Sequence, residues 1–168
     1  ELARRTGLQN LLCVDMGGTS FDLSLVIDGQ PEMTSETVLE GLPLLMSIVS
    51  IDTVGAGGGS IAWVEAGGLR VGPQSAGSFS GPVSYSRGGT EPTVTDANLF
   101  LGRLGDDSLL DGKMKLDSEA TRKAMERLGS EIGLSDRELA EGILAISNAK
   151  MADAMRTITV GQGIDPRE

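Results

Sequence analysis

The stretch Val14-Asp15-Met16-Gly17-Gly18-Thr19-Ser20-Phe21-Asp22 decides the fold, because it joins an apolar run to a glycine turn that has a carboxylate on each side. Before the turn, residues 11–14 are apolar and predict a buried strand that brings Asp15 to the edge of a sheet. After it, apolar and polar residues alternate from Phe21 to Ile27, which predicts a second strand. The sequence therefore predicts a β-hairpin.

The turn of this hairpin has the composition of an anion site. Gly17 and Gly18 allow positive φ and remove the Cβ atoms that would keep a phosphate away from backbone N–H groups. Thr19 and Ser20 add hydroxyl donors, and Asp15 is suited to hold Mg²⁺ partly through water. On spacing alone, a plain Gly-Gly hairpin is an equally good interpretation. The turn is neither a Walker A loop, which needs a lysine, nor a Rossmann fingerprint, which opens a helix.

The composition narrows the classes of function. The chain has 168 residues, of which 39% are hydrophobic, so it is long enough for one globular domain. Its net charge of −10 argues against nucleic acids and anionic membranes as partners, and no apolar run reaches membrane-spanning length. The absence of histidine excludes Ser-His-Asp, Cys-His and histidine-zinc chemistry. The single cysteine, Cys13, falls in the predicted buried strand, where an inert packing role and a cytoplasmic setting fit best.

The chain changes character near residue 100. Residues 1–100 hold 16 of the 24 glycines, whereas residues 101–168 hold 23 charged residues and show helical periodicity. We therefore expect one mixed α/β domain over residues 1–168, with a strand and glycine-loop part followed by a helical part. Beyond the first hairpin, the predicted strands are residues 44–51 and a short hairpin of residues 60–64 and 69–71.

Apolar spacing in the second part predicts three helices. The first is capped by Thr95 or Asp96 and runs to residue 104, the second starts at residue 117 or 118 and ends at Gly129, and the third starts at Ser135 and reaches Val160, where Gly161 stops it. The longest of them opens with a capping box, Ser135-Asp136-Arg137-Glu138. Asp96, at the start of the first helix, has two interpretations. It is either a carboxylate that stabilises the helix N-terminus or a contact to a metal or substrate.

A second glycine-rich segment, residues 55–60, follows the predicted strand at 44–51. The successive N–H groups of Gly57, Gly58, Gly59 and Ser60 predict an anion-binding nest for a phosphate or a substrate carboxylate. The alternative interpretation is that the glycines only let two backbones pass closely.

Four motifs together carry a family resemblance, namely residues 15–22 (DMGGTSFD), 53–62 (TVGAGGGSIA), 71–77 (VGPQSAG) and 87–98 (RGGTEPTVTDAN). In order and spacing they resemble the hydantoinase A and 5-oxoprolinase family, which includes N-methylhydantoinase A and acetone carboxylase β-like subunits. The resemblance covers nearly the whole chain. It implies an actin-like, ribonuclease-H-like ATPase lobe with a twisted mixed sheet and packed helices, and it implies a central fragment of a longer subunit.

The resemblance also implies an activity, the ATP-dependent opening of a cyclic amide of the hydantoin or 5-oxoproline type through phosphorylation of the amide oxygen. The implied cofactors are ATP and Mg²⁺. Asp15 would hold the magnesium, Asp22 or Asp96 would orient water, and the phosphate contacts would come from Gly17, Gly18, Thr19, Ser20 and the loop Gly57, Gly58, Gly59, Ser60.

The implied partners are a small cyclic amide and a hydantoinase B-type subunit or domain, and homo-oligomerisation is left open. We expect the 168-residue piece alone to be inactive. Two alternative functions stay open, a subunit of an ATP-dependent ketone carboxylase and a non-catalytic domain that binds a partner.

The chain departs from the family pattern at single positions. Phe21 stands where a small hydroxyl residue is common, and we expect its side chain to point into the core. Ser84 stands where cysteine or a small residue is frequent, and Asp52 lies in a stretch where many relatives carry histidine.

Overall fold

The computed structural model describes residues 1–35, 37–39, 41–44, 46–107 and 114–165 of the chain. The architecture is mixed α/β with antiparallel strand pairs, as the sequence predicts. In chain order the elements are α1 (Leu2–Thr6), β1 (Leu11–Met16), β2 (Phe21–Ile27), β3 (Gln30–Pro31), β4 (Met33–Thr34), β5 (Thr37–Leu39), β6 (Leu42–Leu44), β7 (Ile48–Val49), β8 (Asp52–Val54), β9 (Ser60–Glu65), β10 (Gly68–Ser75), a 3₁₀ helix (Val83–Tyr85), α2 (Val94–Phe100), α3 (Ser118–Ile132) and α4 (Asp136–Gly161).

The chain divides into two compact units. Unit 1 comprises residues 1–15, 22–54 and 153–168, and unit 2 comprises residues 16–21 and 55–152. Each unit is described by itself below.

In the sheet of unit 1, strand β2 lies between β1 and β3 and also pairs with β8. Phe21, Leu23 and Leu25 of β2 are buried, which confirms both the alternating pattern and the inward direction of the Phe21 side chain. Because β1 and β2 are neighbours joined by only four residues, the predicted hairpin is also confirmed.

Residues 11–14 do form a strand, but the prediction that this strand is buried is wrong. Val14 is 52% exposed, and Cys13, which we expected to be buried, is exposed as well. The physical reason is that β1 is an edge strand of the described sheet, with β2 as its neighbour. An apolar run identifies a strand, but it does not show how many layers cover it.

The single strand predicted at residues 44–51 is also wrong. The chain reverses at Gly41, which has a φ of 83°, so the strands β6 and β7 return alongside β5 and β4. They form two short antiparallel ladders, in which β6 pairs with β5 and β7 pairs with β4. Leu45 lies outside the described residues. Asp52 is the first residue of β8, so it does not follow the end of one long strand. The sequence did not predict this, because a mostly apolar run does not show where the pairing between strands is interrupted.

Unit 2 is built on the antiparallel pair β9 and β10, which turns at Ala66 and Gly67 and confirms the second predicted hairpin. Strand β10 continues past a bulge between Val71 and Ser75. The hydrophobic core packs this pair against α2, α3 and α4, and its buried members are Ala62, Val71, Val94, Ala97, Met125, Leu128, Leu139, Ala140, Ile143 and Leu144.

The three predicted helices are present, and both limits of the first and the end of the second differ from the prediction. The cap of α2 is Thr93, not Thr95 or Asp96, and the helix ends at Phe100 before the predicted residue 104. Helix α3 continues through Gly129 to Ile132 and ends at the left-handed Gly133. In the described part of the chain, no helix combines the length and apolar character that a membrane span requires.

Gly129 is needed for packing and does not end α3. A Cβ atom at this position would lie 2.7 Å from the carbonyl oxygen of Leu134, on the chain that leads into α4. We expect Gly129→Ala to lower the free energy of unfolding by about 1–3 kcal/mol, because the backbone of the α3–α4 connection must move. Gly161→Ala is the matched control, since a Cβ there meets nothing within 4 Å. Its stability should be unchanged or higher by up to about 1 kcal/mol. Equal melting temperatures for the two variants would contradict this assignment.

The capping box of α4 predicts an acid-dependent contribution to stability. Glu138 Oε2 accepts hydrogen bonds from Ser135 Oγ at 2.7 Å and from Ser135 N–H at 2.9 Å. The side-chain hydrogen bond, followed by the backbone one, lowers the pKa of Glu138 below its ordinary value of 4.5. A lowered carboxyl pKa stabilises the fold above the ordinary value, and the stabilisation is lost as the pH falls through the lowered value.

We expect Glu138→Gln to make unfolding less dependent on pH in the acid range. The measurement is denaturant unfolding between about pH 3 and pH 7, the range in which a carboxyl group of this kind titrates. Glu131→Gln removes an exposed charge on another helix and is the control. If Glu138→Gln keeps the acid-dependent loss of the unmodified protein, Glu138 does not cause it.

Candidate functional site

The turn between β1 and β2 presents two backbone donors without an acceptor. The N–H of Gly17 closes the turn on the carbonyl oxygen of Ser20 at 2.9 Å. No hydrogen bond to another described residue occupies the N–H of Gly18 or of Thr19, and both residues are exposed. Neither Gly17 nor Gly18 has a positive φ, so the predicted need for left-handed backbone is not met here. A Cβ at Gly18 would meet nothing within 4 Å, so the space above this residue is open to a ligand.

The loop of residues 57–60 does not present its N–H groups to a ligand. Each of the four donates within the protein: Gly57 to Ser60 Oγ (2.9 Å), Gly58 to Gly17 O (3.0 Å), Gly59 to Gly18 O (2.6 Å) and Ser60 to Gly57 O (3.0 Å). The anion nest that we predict from successive glycine N–H groups is therefore not formed. A direct phosphate contact from this loop stays a prediction that these hydrogen bonds do not support.

The glycines of this loop are required because it lies directly against the turn. A Cβ at Gly57 would stand 2.7 Å from backbone atoms of Gly18 and Thr19, and a Cβ at Gly59 would stand 2.9 Å from the oxygen of Gly18. Real Cβ contacts are never this short, so alanine does not fit at either position without a backbone shift. The close passage of two backbones, the alternative interpretation of the sequence, is what the structure shows.

The loop determines the direction in which the turn's free donors point. In a planar trans peptide, the C=O and the N–H point in opposite directions. Gly58 and Gly59 hold the carbonyl oxygens of Gly17 and Gly18, and these belong to the same peptide units as the N–H groups of Gly18 and Thr19. Both free N–H groups must therefore point away from the loop. The loop supports the turn from one side and leaves these two donors on the other.

Two predicted carboxylates of unit 1 come together at one surface cavity. Asp15 and Asp22 both line a cavity of about 300 Å³, whose other lining residues are Cys13, Val14, Leu23, Ser24 and Ile51. Asp22 Oδ1 accepts a hydrogen bond from Thr53 Oγ1 at 2.7 Å, which fixes the carboxylate. The sequence analysis missed Thr53, although it lies inside one of the four motifs.

Asp15 and Asp22 fit a magnesium ion only if water molecules or substrate phosphates supply most of its ligands. No group of three or more His, Cys, Asp or Glu side chains is placed to hold a metal among the residues that the structure describes. Mg²⁺ is commonly bound by one or two carboxylates, with water and substrate phosphates completing the octahedron. Asp15 meets that requirement, since it is exposed at the cavity.

The side-chain contacts of Asp96 are those of a carboxylate with a structural role. Its side chain is fully buried and accepts hydrogen bonds from the N–H groups of Val83 (3.1 Å), Ser84 (2.8 Å) and Thr93 (2.9 Å) and from Thr93 Oγ1 (2.8 Å). Together with Thr93 it forms the capping box of α2. It also fixes the 3₁₀ helix to the start of α2. Of the two interpretations that the sequence leaves open, the capping one is present.

Two further side chains of unit 2 reach the turn and its supporting loop. Thr95 donates from Oγ1 to the carbonyl oxygen of Gly58 at 2.9 Å, and Ser75 Oγ lies 3.4 Å from Thr19 Oγ1. Both residues stand inside motifs, but neither was singled out as a site residue from the sequence. Local pattern does not distinguish them, because Thr95 contacts Gly58 and Ser75 contacts Thr19 across long separations in the chain.

Comparison with known proteins now identifies the family. The family model described as hydantoinase/oxoprolinase matches residues 1–168, the full chain. The chain belongs to the hydantoinase/oxoprolinase family. The resemblance drawn from the four motifs is thereby confirmed.

Individual members of the hydantoinase/oxoprolinase family agree with this result. The chain is 40% identical to the caprolactamase subunit alpha of Pseudomonas jessenii over 99% of its own length and 24% of the relative. It is 38% identical to the 5-oxoprolinase PfmaA of Pestalotiopsis fici, with 92% and 13% coverage. A solved nucleotide-free structure of acetone carboxylase, an ATP-dependent enzyme, superposes with a TM-score of 0.87 at 31% identity, over 98% of this chain and 24% of that one. The chain thus spans a quarter or less of these relatives.

The contacts of Asp96 predict a stability effect. We expect Asp96→Asn to lower the free energy of unfolding by about 3 kcal/mol, because one acceptor oxygen becomes an NH₂ group that faces N–H donors in a buried site. Asp117→Asn is the matched control. Asp117 caps α3 by accepting from Ala120 N–H at 2.8 Å, and asparagine caps equally well, so the change should stay within about 0.5 kcal/mol. Unfolding of both variants by denaturant makes the comparison. An Asp96→Asn protein of normal stability that has lost turnover would instead make Asp96 a catalytic residue.

Proposed function

We propose that the full-length protein uses ATP to open a cyclic amide of the hydantoin or 5-oxoproline type. The observation that carries the proposal is the pair of N–H donors at Gly18 and Thr19, which make no hydrogen bond to a described residue and which the loop of residues 57–60 orients. Backbone N–H groups with open space above a glycine are suited to phosphate oxygens. The names of relatives support the same reaction class, since a matched structure is titled an ATP-dependent caprolactamase and another relative is a 5-oxoprolinase.

In this proposal the turn binds the phosphates of ATP. Gly18 and Thr19 donate from the backbone, and the hydroxyl groups of Thr19 and Ser20 add further donors. The loop of residues 57–60 acts mainly as the support described above. The turn then belongs to an actin-like ATPase lobe, the fold that the family resemblance implies.

The charge of the sequence around the turn supports magnesium as a requirement. Residues 6–69 contain eight Asp or Glu and no Lys or Arg. Phosphates and carboxylates repel one another, so a phosphate near Asp15 needs a cation that these residues do not provide. In the proposal Asp15 holds Mg²⁺, which neutralises charge on the transferring phosphoryl group when it is bound.

The proposed chemistry proceeds in three balanced steps. The amide oxygen of the substrate attacks the γ-phosphorus of ATP, which releases ADP and leaves a phosphorylated imidate. Water adds at the activated carbon, and the ring C–N bond breaks as the nitrogen takes up a proton and leaves as an amine, which gives an acyl phosphate. A second water hydrolyses the acyl phosphate to a carboxylate and inorganic phosphate. Asp22, which Thr53 holds in place, is the candidate group to orient the water that opens the ring.

A second candidate is ATP-dependent carboxylation of a ketone. The observation that favours it is the match to acetone carboxylase, with a TM-score of 0.87 over 98% of the chain. Since relatives of both kinds are named as subunits, we propose that either activity resides in a complex, with a hydantoinase B-type chain as the partner for amide hydrolysis.

The deciding experiment measures ATP hydrolysis by the full-length protein together with its partner chain. Stimulation by hydantoin, 5-oxoproline or a lactam supports amide opening, whereas stimulation by a ketone with bicarbonate supports carboxylation. If the purified complex neither binds nor hydrolyses ATP in the presence of Mg²⁺, both candidates are wrong and a non-catalytic role remains.

Asp15 provides a direct test of the magnesium assignment. We expect Asp15→Asn in the full-length protein to lower Mg²⁺-dependent ATP turnover by about 100-fold or more, as is typical when electrostatic support of a transferring group is lost. The melting temperature should not change, because Asp15 is exposed. Glu65→Gln is the control, since it removes the same charge from an exposed pair with Arg70. Unchanged turnover in Asp15→Asn would remove Asp15 from the mechanism.

A further inference from the structure

The first turn of α2 holds one carbonyl oxygen of the supporting loop with two donors. Thr95 donates to the oxygen of Gly58 from its backbone N–H at 2.8 Å and from Oγ1 at 2.9 Å. The first N–H groups of a helix have no acceptor within the helix, and that of Thr95 is one of them. The carbonyl oxygen of Gly58 in the loop is its acceptor. A Cβ at Gly58 would stand only 2.8 Å from Thr95 Oγ1, so the contact also depends on glycine.

The peptide unit that Thr95 holds is the one that reaches the turn. The oxygen of Gly58 and the N–H of Gly59 belong to the same planar trans peptide and point in opposite directions. With its oxygen held by Thr95, this peptide directs the N–H of Gly59 to the oxygen of Gly18, at 2.6 Å. The peptide of Gly18 in turn directs the N–H of Thr19 away from the loop. Two rigid peptide planes therefore connect Thr95 to a free donor of the turn.

The far side of Gly59 is held as well. Its carbonyl oxygen accepts the N–H of Ala76 at 2.8 Å. Ser75 Oγ accepts the N–H of Gly77 at 3.1 Å. The carbonyl group of Gly59 belongs to the next peptide, so the peptides on both sides of Gly59 are hydrogen-bonded. The hydroxyl of Thr95 is a donor in this arrangement that a single substitution can remove without adding volume.

We propose that Thr95 is a positioning residue for nucleotide phosphate, which acts through the Gly58–Gly59 and Gly18–Thr19 peptides and does not touch the ligand. The proposal rests on the proposed function, since it assumes that the turn binds phosphate. The neighbouring residues Thr95 and Asp96 then have different roles. Asp96 supports the 3₁₀ helix, and Thr95 supports the turn.

The test compares Thr95→Val with Thr95→Ser in the full-length protein, with Mg·ATP as the probe. Valine keeps the shape of threonine and loses the donor, whereas serine keeps the donor. We expect Thr95→Val to weaken Mg·ATP binding in calorimetry by about three- to tenfold, as the loss of one hydrogen bond predicts. Thr95→Ser should restore the affinity to within about twofold, since its hydroxyl can make the same bond.

Thr121→Val is the matched control for stability. Thr121 also donates from Oγ1 to a backbone carbonyl oxygen, that of Asp117 at 2.8 Å, but it lies on α3 and its acceptor is the N-cap residue of the same helix. It should lower the melting temperature at least as much as Thr95→Val and leave the affinity for Mg·ATP unchanged. If Thr121→Val weakens binding equally, the effect is general destabilisation and the proposal is wrong.

The other outcomes separate this proposal from the proposed function. Tight Mg·ATP binding by the unmodified protein with unchanged affinity in Thr95→Val overturns the positioning role and leaves ATP use intact. Failure of serine to restore affinity overturns it too, because the hydroxyl is then not the active group. Absence of any Mg·ATP binding by the unmodified protein overturns both.

Discussion

The close contact between two backbones, residues 57–59 on one side and residues 17–19 on the other, is the constraint on which the rest of unit 2 depends. It is held by short N–H to carbonyl hydrogen bonds and leaves no room for Cβ atoms. Strand β9 begins directly after this contact, and α2 attaches to it through Thr95. The direction in which the N–H groups of Gly18 and Thr19 point follows from the planarity of their peptides.

The buried carboxylate of Asp96 is the second constraint, and it acts on a different segment. A buried charge is tolerated only when it is hydrogen-bonded, and here four donors surround it. Three of these donors are backbone N–H groups, those of Val83, Ser84 and Thr93, which lie outside the strands and α-helices. The segment from Val83 to Thr93 therefore has a defined conformation although it contains little regular structure.

Local patterns in the sequence predicted the local elements. The alternation in β2, the turn at Gly67 and the capping box at Ser135 each depend on residues within one turn or one strand, and each is present. The exposure of β1 and the broken ladders of residues 33–49 were not predictable in the same way, because they depend on which elements pair across the chain. Gly129 shows the same limit, since a glycine that ends a helix and one that allows close packing look alike in sequence.

The sequence pointed to the glycines at 17–18 and 57–59 and to Asp15 and Asp22 as candidate site residues. The structure places the two glycine segments against each other and both carboxylates at one cavity, and their roles in binding stay predictions. The contact between the two segments was not predictable from local pattern, because Gly58 and Gly59 donate to the carbonyl oxygens of Gly17 and Gly18 in a distant part of the chain. The contact has a consequence for evolutionary change as well. Residues 57–59 are closed to diversification, whereas Gly18 borders open space and can accept a side chain, so relatives with altered ligand preference are expected to differ there first.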